Sequence, residues 1–201
     1  MKTTEKEFFS QHQHDLANPL LHQYLEKIDS DLAQNVCQAG CLSCLMGKLH
    51  SAKYKRKPRT GTEKIEEVYR HSFCCDQDGC RKRHTPPSVR FLGRRVYHGV
   101  LVVLVSAAHH GITPERMRVL REALGIDQRT LERWREWWLE TFVQSSFWKA
   151  ARARFMPRIC EKTPPWSLCQ AFKIDRRDRL LDLLKFISPI TTTSVPWDRI
   201  F

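Results

Sequence analysis

The sequence predicts a mainly α-helical protein with one small β region, and three patterns lead to that prediction. Apolar residues recur at the three-to-four-residue spacing of amphipathic helices in several segments. Six of the eight cysteines fall within residues 37–80, a basic stretch whose weak alternation of apolar and polar residues is typical of short strands. A glycine turn followed by a charged, tryptophan-containing segment, residues 125–134, is typical of two helices that cross.

The amino-terminal region, residues 1–36, is predicted to be a helical segment. Apolar residues between Leu20 and Leu32 recur at helical spacing, so we expect an amphipathic helix that ends near Ala33 and packs on another element.

Three further regions follow along the chain. The cysteine-rich region, residues 37–84, precedes a helical domain, residues 85–143, in which residues 95–109 are predicted to form a buried helix. Residues 144–201 form a basic, partly helical extension. Its last amphipathic helix covers residues 179–187, and we expect an uncompacted tail from Pro189.

Length and composition exclude several classes of protein. A chain of 201 residues forms one sizeable domain or two small ones, which excludes a large multidomain enzyme. The longest apolar run, residues 100–108, is about half of the ~20 residues that a membrane-spanning helix needs. The charged first residues lack the apolar stretch of a secretory signal, so we expect a cytoplasmic protein whose cysteines are free thiols or metal ligands.

The net charge of +12 predicts a polyanionic partner, and nucleic acid is the first candidate. The excess lies in two blocks: residues 45–99 carry nine more basic than acidic side chains, and residues 144–201 carry six more. In the first block the cations are clustered, and we expect the clusters to contact phosphates. The residues concerned are Lys53, Lys55, Arg56, Lys57, Arg81, Lys82 and Arg83.

The cysteine spacing predicts a metal site. Cys41 and Cys44 form a C-x2-C pair, and Cys75 and Cys80 form a looser C-x4-C pair. Zinc prefers four soft ligands in a tetrahedron, and two short loops that each present two thiolates supply them. We therefore predict a zinc ribbon with these four cysteines as ligands. Because all four positions are filled by protein, the Zn²⁺ would be structural and not catalytic.

The spacing leaves two alternatives open. Cys74 is the alternative to Cys75, and Cys37 is an alternative on the first arm. Cys160 and Cys169 have no partner pair, and we expect them to be packing residues.

Residues 125–134 predict a helix-turn-helix. Asp127 caps the second helix, and Leu131 and Trp134 anchor its inner face. Polar residues then remain on the outer, amino-terminal side, where a recognition helix reads base edges in the major groove. The candidate readers are Gln128, Arg129 and Arg133. An ordinary helical hairpin with charges facing solvent is the alternative interpretation.

The order of these parts resembles the amino-terminal DNA-binding region of certain bacterial insertion-sequence transposases. The resemblance covers about residues 37–142: the cysteine ribbon, the joint at Thr85–Ser88, a hydrophobic helix, the Gly-Ile-Thr at 111–113 and the hairpin at 125–134. It implies a nucleoid-associated bacterial protein in which ribbon and helix-turn-helix read terminal repeats. The same four cysteines would be the ligands, and Gln128, Arg129 and Arg133 would be the readers.

A catalytic half is not expected. Those transposases continue into a domain with three separated carboxylates, and the 59 residues after Phe142 show neither the length nor the strands for it. His109 and His110 are adjacent, so they point to different sides of a helix and cannot chelate one ion.

The sequence therefore predicts a non-catalytic, sequence-specific DNA-binding protein of mobile-element type, either a transposase-like accessory protein or a regulator. The alternative is a zinc-ribbon adaptor that mediates protein–protein contacts in a larger nucleic-acid complex. We expect double-stranded DNA as the partner, a separate recombinase or another protein subunit as a further one, and no membrane.

Overall fold

The computed structural model describes residues 19–56, 68–92, 126–173 and 177–192, and a few isolated positions between 102 and 122. This part of the chain is mainly α-helical with small antiparallel sheets, as the sequence predicts. Three predicted features lie wholly or largely outside the described residues. They are the buried helix at 95–109, the first helix of the helix-turn-helix with its turn at Gly125, and Lys57.

The described helices are α1 (Pro19–Ala39), α2 (Gln128–Glu136), α3 (Ser146–Ala151), α4 (Trp166–Ala171) and α5 (Arg177–Ile187). The strands are β1 (Leu49–Ser51), β2 (Tyr54–Arg56), β3 (Val68–Arg70), β4 (Phe73–Cys75) and β5 (Arg83–His84). A π-helical turn, Trp137–Phe142, continues α2, and 3-10 turns at Arg152–Arg154 and Ser188–Thr191 follow α3 and α5.

Helix α1 joins two hydrophobic cores. Leu21 and Leu25 are fully buried in the main core, whereas Ala33 belongs to a second core around the cysteines. The helix therefore ends at Ala39 and not near Ala33, because its last turns pack against the cysteine-rich region. Gly40 follows with φ 72°, the left-handed conformation that commonly ends a helix.

Strands β1 to β4 form one long hairpin. Leu49 pairs with Cys75 and Arg56 pairs with Val68, and the same register continues between the two short sheets, where the Ala52 N–H donates to the Ser72 carbonyl at 2.8 Å. Strand β5 adds to β4 on the other side, which gives the order β1-β4-β5. The strand-like alternation in the cysteine-rich region is thus confirmed.

The main core is aromatic. Trp138, Phe142 and Trp148 are each 1% exposed or less, and ring centroids lie 4.9 Å apart between Trp138 and Phe142 and 5.1 Å apart between Phe142 and Trp148. The start of α2 is as predicted, because the Asp127 carboxylate accepts a 2.6 Å hydrogen bond from the Thr130 N–H. The predicted inner-face residue Leu131 is buried.

The expected uncompacted tail from Pro189 is wrong for residues 189–192. Thr191 is buried, and its Oγ1 accepts a 2.9 Å hydrogen bond from the Ser88 N–H and donates to the Ser188 carbonyl at 2.6 Å. Thr192 Oγ1 donates to the Thr85 carbonyl at 2.7 Å. Hydrophobic periodicity does not predict the contacts with Ser88 and Thr85, because side-chain hydroxyls make them. The paired residues are 103 and 107 positions apart in the chain.

A buried ionic network connects α1, the hairpin and the segment 85–92. Asp29 accepts hydrogen bonds from the Val89 N–H (2.7 Å), the Ser88 hydroxyl (2.6 Å) and Arg90 Nε (3.0 Å). Arg90 also donates to the Tyr69 carbonyl at 2.9 Å. Asp29 and Arg90 are 1% and 2% exposed, so the charges of this pair are compensated inside the protein.

The domain boundaries predicted from the sequence stay a prediction. Helix α1 runs across the first of them, at residue 36, without a break. None of the described helices combines the length and the apolar character needed to cross a bilayer.

We expect Asp29→Asn to lower the free energy of unfolding by about 3–5 kcal/mol, the usual cost of removing one partner from a buried ion pair. The measurement is urea unfolding followed by tryptophan fluorescence. Asp31→Asn is the matched control, because Asp31 lies on the same helix and is exposed. Equal stability of the two variants would contradict a structural role for the network.

Candidate metal centre

The structure brings together the four cysteines that the sequence predicts as ligands. The Sγ atoms of Cys41, Cys44, Cys75 and Cys80 all lie within 4.8 Å of one another. Cys41 and Cys80 are 3.7 Å apart, as are Cys44 and Cys75. A tetrahedral ion with metal–sulfur bonds of about 2.3 Å requires sulfur–sulfur separations of about 3.8 Å. The cluster therefore has the dimensions to hold a metal ion.

The first cysteine loop is closed by backbone hydrogen bonds. The Cys41 N–H donates to the Gly47 carbonyl at 3.0 Å, and the Leu45 N–H donates to the Cys41 carbonyl at 2.8 Å. Gly47 is required by a close approach, since a Cβ there would collide with Cys75 Sγ. The glycine that the sequence places after the C-x2-C pair thus lets the second loop reach the first.

The second loop starts at the end of β4. The Cys80 N–H donates to the Gln77 carbonyl at 3.1 Å, and Gly79 adopts φ 83°, so the chain turns tightly within the longer C-x4-C spacing. Asp76 ties the two loops together. Its carboxylate accepts a 2.8 Å hydrogen bond from the Lys48 N–H.

Backbone N–H groups are directed at the sulfurs. The Gly47 N–H donates to Cys44 Sγ at 3.3 Å, and the Gln77 N–H donates to Cys75 Sγ at 3.4 Å. The N–H groups of Met46 and Gly47 lower the pKa of Cys44 to about 6, whereas burial raises the pKa of Cys75 to about 12. A bound divalent metal would stabilise all four sulfurs as thiolates, because it offsets part of their negative charge.

The positions of the sulfur atoms distinguish between the alternative ligands that the cysteine spacing leaves open. Cys37 Sγ donates to the Leu49 carbonyl at 3.5 Å, and Cys74 Sγ donates to the Arg81 carbonyl at 3.4 Å, so both thiols are engaged outside the cluster. Cys74 cannot join because successive residues of a strand face opposite sides, and its neighbour Cys75 occupies the inner side.

The two remaining cysteines differ from each other. Cys169 is buried in the main core as a packing residue, as the sequence predicts, and burial raises its pKa to about 12. The same expectation is wrong for Cys160, whose side chain is exposed.

His84 belongs to the surroundings of the cluster, and sequence reasoning missed it. Its Nε2 lies 3.2 Å from Cys41 Sγ, and its side chain is 1% exposed. A metal-bound thiolate only accepts, so with a metal in the cluster this contact would require a proton on Nε2. Nδ1 then carries a lone pair that has no hydrogen-bond partner in the described part of the chain. Strand pairing brings His84 to this position, since it lies on β5 opposite Phe73, on the inner face of the ribbon.

The predicted phosphate contacts lie around the ribbon. Lys53, Lys55, Arg81, Lys82 and Arg83 are exposed. Arg56 is half-buried, and its guanidinium lies 5.2 Å from the centre of the Tyr54 ring. Arg81 donates to the carboxylate of Asp78 at 2.5 Å.

The predicted base readers lie on the exposed side of α2. Gln128, Arg129 and Arg133 are exposed there. Gln128 Nε2 donates to Glu132 Oε1 at 2.9 Å, and Arg133 donates to Thr130 Oγ1 at 3.0 Å. Because the preceding helix and its turn lie outside the described residues, the helix-turn-helix itself stays a prediction.

Comparison of the chain with protein-family models, with curated proteins and with solved structures gives no match. The resemblance to transposase DNA-binding regions therefore stays a prediction that rests on the order and character of the motifs.

We expect Cys80→Ser to remove bound metal and to destabilise the ribbon, because three thiolates and a poorer oxygen ligand remain. Cys74→Ser is the matched control, since Cys74 lies in the same region and outside the cluster. Metal content per chain and thermal unfolding are the measurements. Loss of metal from both variants, or from neither, would contradict the ligand set.

We expect His84→Phe to keep a buried ring but to weaken metal affinity by about tenfold or more, as loss of an outer hydrogen bond typically does. Competition with a chromophoric chelator measures this affinity. His71→Phe makes the same change on the hairpin outside the cluster and serves as the control. Equal affinities of the two variants would show that the Cys41 contact contributes nothing.

Proposed function

We propose that this protein is a non-catalytic, sequence-specific DNA-binding protein of mobile-element type, a transposase-like accessory protein or regulator. In this proposal a structural Zn²⁺ holds the cysteine ribbon, and the ribbon presents basic side chains to the phosphates of duplex DNA. The observation that carries the proposal is the pairing of the strands, which separates a metal-facing side of the ribbon from a basic outer side.

The register of β1, β4 and β5 supports this division. His50, Cys74 and Arg83 are cross-strand neighbours, so their side chains share one face of the sheet. Their alternate neighbours Cys75 and His84 are buried on the other face, next to the cluster. A metal that holds the inner face of the sheet in place would therefore also fix the positions of the basic residues on its outer face.

Zinc is the metal that fits the donor set best. All four donors are thiols, and soft thiolates select Zn²⁺, Cu(I) or iron–sulfur clusters over the hard divalent cations. A tetrahedral set from two short loops is typical of structural zinc, and its four protein ligands leave no position for a reacting water. This supports a structural role and argues against hydrolysis at this centre.

The charges around the ribbon favour a phosphate-bearing partner. Two acidic residues described near Lys82 are already engaged, Asp76 by the Lys48 N–H and His50, and Asp78 by Arg81. Within the described part of the chain, Lys82 therefore meets little competition from these two carboxylates. A basic surface binds duplex DNA of any sequence with a steep dependence on salt.

Sequence selection is assigned to the exposed side of α2. Arginine makes bidentate contacts with guanine and glutamine with adenine, and both residue types lie in the first turns of this helix, next to the Asp127 cap. Arg129 and Arg133 would contact base edges, and Gln128 would do so after giving up its hydrogen bond with Glu132.

A second candidate function, the zinc-ribbon adaptor, is favoured by one observation. Leu45 and Met46, at the tip of the first cysteine loop, are 75% and 78% exposed. Two adjacent apolar side chains on a metal-stabilised loop suit a contact with another protein. An adaptor of this kind would show little affinity for duplex DNA and no steep dependence on salt.

We expect Lys82→Gln with Arg83→Gln to weaken duplex binding for all sequences alike. The salt slope should become less negative by about 0.9 for each phosphate that the variant no longer neutralises. Fluorescence anisotropy of a labelled duplex, titrated with salt, measures both. Lys27→Gln with Lys185→Gln is the control of equal charge on the exposed faces of α1 and α5.

Two further arms complete this test. Removal of the metal by a chelator should abolish the ribbon's contribution to duplex affinity. Arg133→Ala should weaken binding to a DNA sequence that co-purifies with the protein more than it weakens binding to an unrelated duplex. A wild-type protein without a salt-dependent affinity for duplex DNA would reject the proposal in favour of the adaptor.

A further inference from the structure

A cleft lies far along the chain from the ribbon, in the basic carboxy-terminal extension. It has a volume of about 750 Å³ and is formed by the end of α3, the 3-10 turn that follows and residues 155–162. Clefts of this size are typical of sites for small organic ligands. The charged residues of its lining are Lys149, Arg152, Arg158, Glu161 and Lys162.

Among the described residues of the lining, the one acidic side chain is already neutralised. Glu161 Oε1 accepts hydrogen bonds from Arg152 at 2.8 Å and from Trp148 Nε1 at 2.9 Å. The hydrogen bond from Arg152, followed by that from Trp148, holds the pKa of Glu161 below its usual range, so the carboxylate stays ionised and paired with Arg152 at neutral pH.

Within the described part of the chain, the other three cations of the cleft remain uncompensated. Lys149, Arg158 and Lys162 are exposed, and within the described residues no carboxylate lies at ion-pair distance from any of them. Like charges gathered around one concave surface repel one another, and an anion that enters the cleft relieves this repulsion.

The wall of the cleft is apolar and well supported. Phe155 lines the cleft and packs against Phe186 and Phe172, with ring centroids 5.3 and 5.9 Å away. Ile159 is half-buried against the same core. A lining that combines a rigid apolar wall with three cations fits an anion that carries an organic group better than it fits a bare inorganic ion.

We propose that this cleft binds phosphate groups carried on an organic chain, and that its ligand is the sugar–phosphate backbone of nucleic acid. Arg158 supplies a planar fork for two phosphate oxygens, and Lys149 and Lys162 act as mobile point charges. The proposal goes beyond the ribbon and α2, because it gives the carboxy-terminal extension a nucleic-acid contact of its own.

The test compares two triple variants of the full chain that remove the same charge. The cleft variant is Lys149→Gln, Arg158→Gln and Lys162→Gln. The control variant is Lys27→Gln, Arg179→Gln and Lys185→Gln, three exposed cations outside the cleft lining. Because all six side chains are exposed, we expect both variants to keep the thermal stability of the wild-type protein.

Two probes distinguish the sources of phosphate. With a labelled DNA duplex, the cleft variant should have a salt slope less negative by about 0.9 per phosphate, or about 2.7 for three phosphates, while the control keeps the wild-type slope. With ATP, measured by calorimetry, loss of binding in the cleft variant alone would support a phosphate site that takes free nucleotides. Equal behaviour of the two variants with both probes would overturn the proposal.

The outcome can be separated from that of the proposed function. If the wild-type protein binds no duplex, the proposed function fails together with the nucleic-acid ligand of the cleft, and the ATP measurement still tests whether the cleft holds phosphate groups. If the Lys82 and Arg83 double variant weakens duplex binding but neither triple variant changes it or ATP binding, the cleft proposal alone fails.

Discussion

The cysteine cluster is the constraint on which the ribbon depends. The second core holds only five buried residues among those described, namely Ala33, Cys41, Leu49, Phe73 and Cys75, and two of them are cysteines of the cluster. So little apolar burial does not compensate the conformational entropy of ordering the two loops and the hairpin. An ion bound by the four cysteines would supply the missing stabilisation, because its binding free energy is also folding free energy.

The cluster alone does not connect the ribbon to the helical core. That connection runs through α1, which contributes to both cores, and through the buried pair of Asp29 and Arg90. Arg70 extends it from the hairpin, since its guanidinium donates to the Pro86 carbonyl at 2.6 Å and to Thr191 Oγ1 at 3.4 Å. Buried charges that are fully hydrogen-bonded favour one placement of the elements that carry them, because any other placement would leave a buried charge unpaired.

This arrangement bears on both proposals for nucleic acid. A surface of flexible lysines and arginines binds phosphate more specifically when its backbone is fixed. Here a metal bound by the cysteine cluster would fix the ribbon, while an aromatic core supports the cleft. The two basic surfaces belong to the two basic blocks of the sequence, residues 45–99 and 144–201. Each basic block of the sequence thus corresponds to one basic surface, the first to the ribbon and the second to the cleft.

Much of the candidate site could be predicted from local sequence. The C-x2-C pair, the second pair and the glycine after the first pair indicate the metal loops, since ligand type and short spacing suffice for this chemistry. The spacing predicted Cys75 but left Cys74 open as the alternative, because the choice depends on which face of β4 turns inward. His84 could not be predicted, since its approach to Cys41 spans 43 positions and follows from strand pairing.

By itself, the sequence determined the elements whose causes are local: the start of α2 at its Asp127 cap, the burial of Leu131 and Trp134, and the alternation of the hairpin strands. Only the tertiary structure decided where α1 ends and that residues 189–192 pack against segment 85–92. These outcomes depend on contacts such as that between Ser88 and Thr191, which are 103 positions apart. Spacing along a chain records local geometry, whereas such contacts exist only after the elements have packed together.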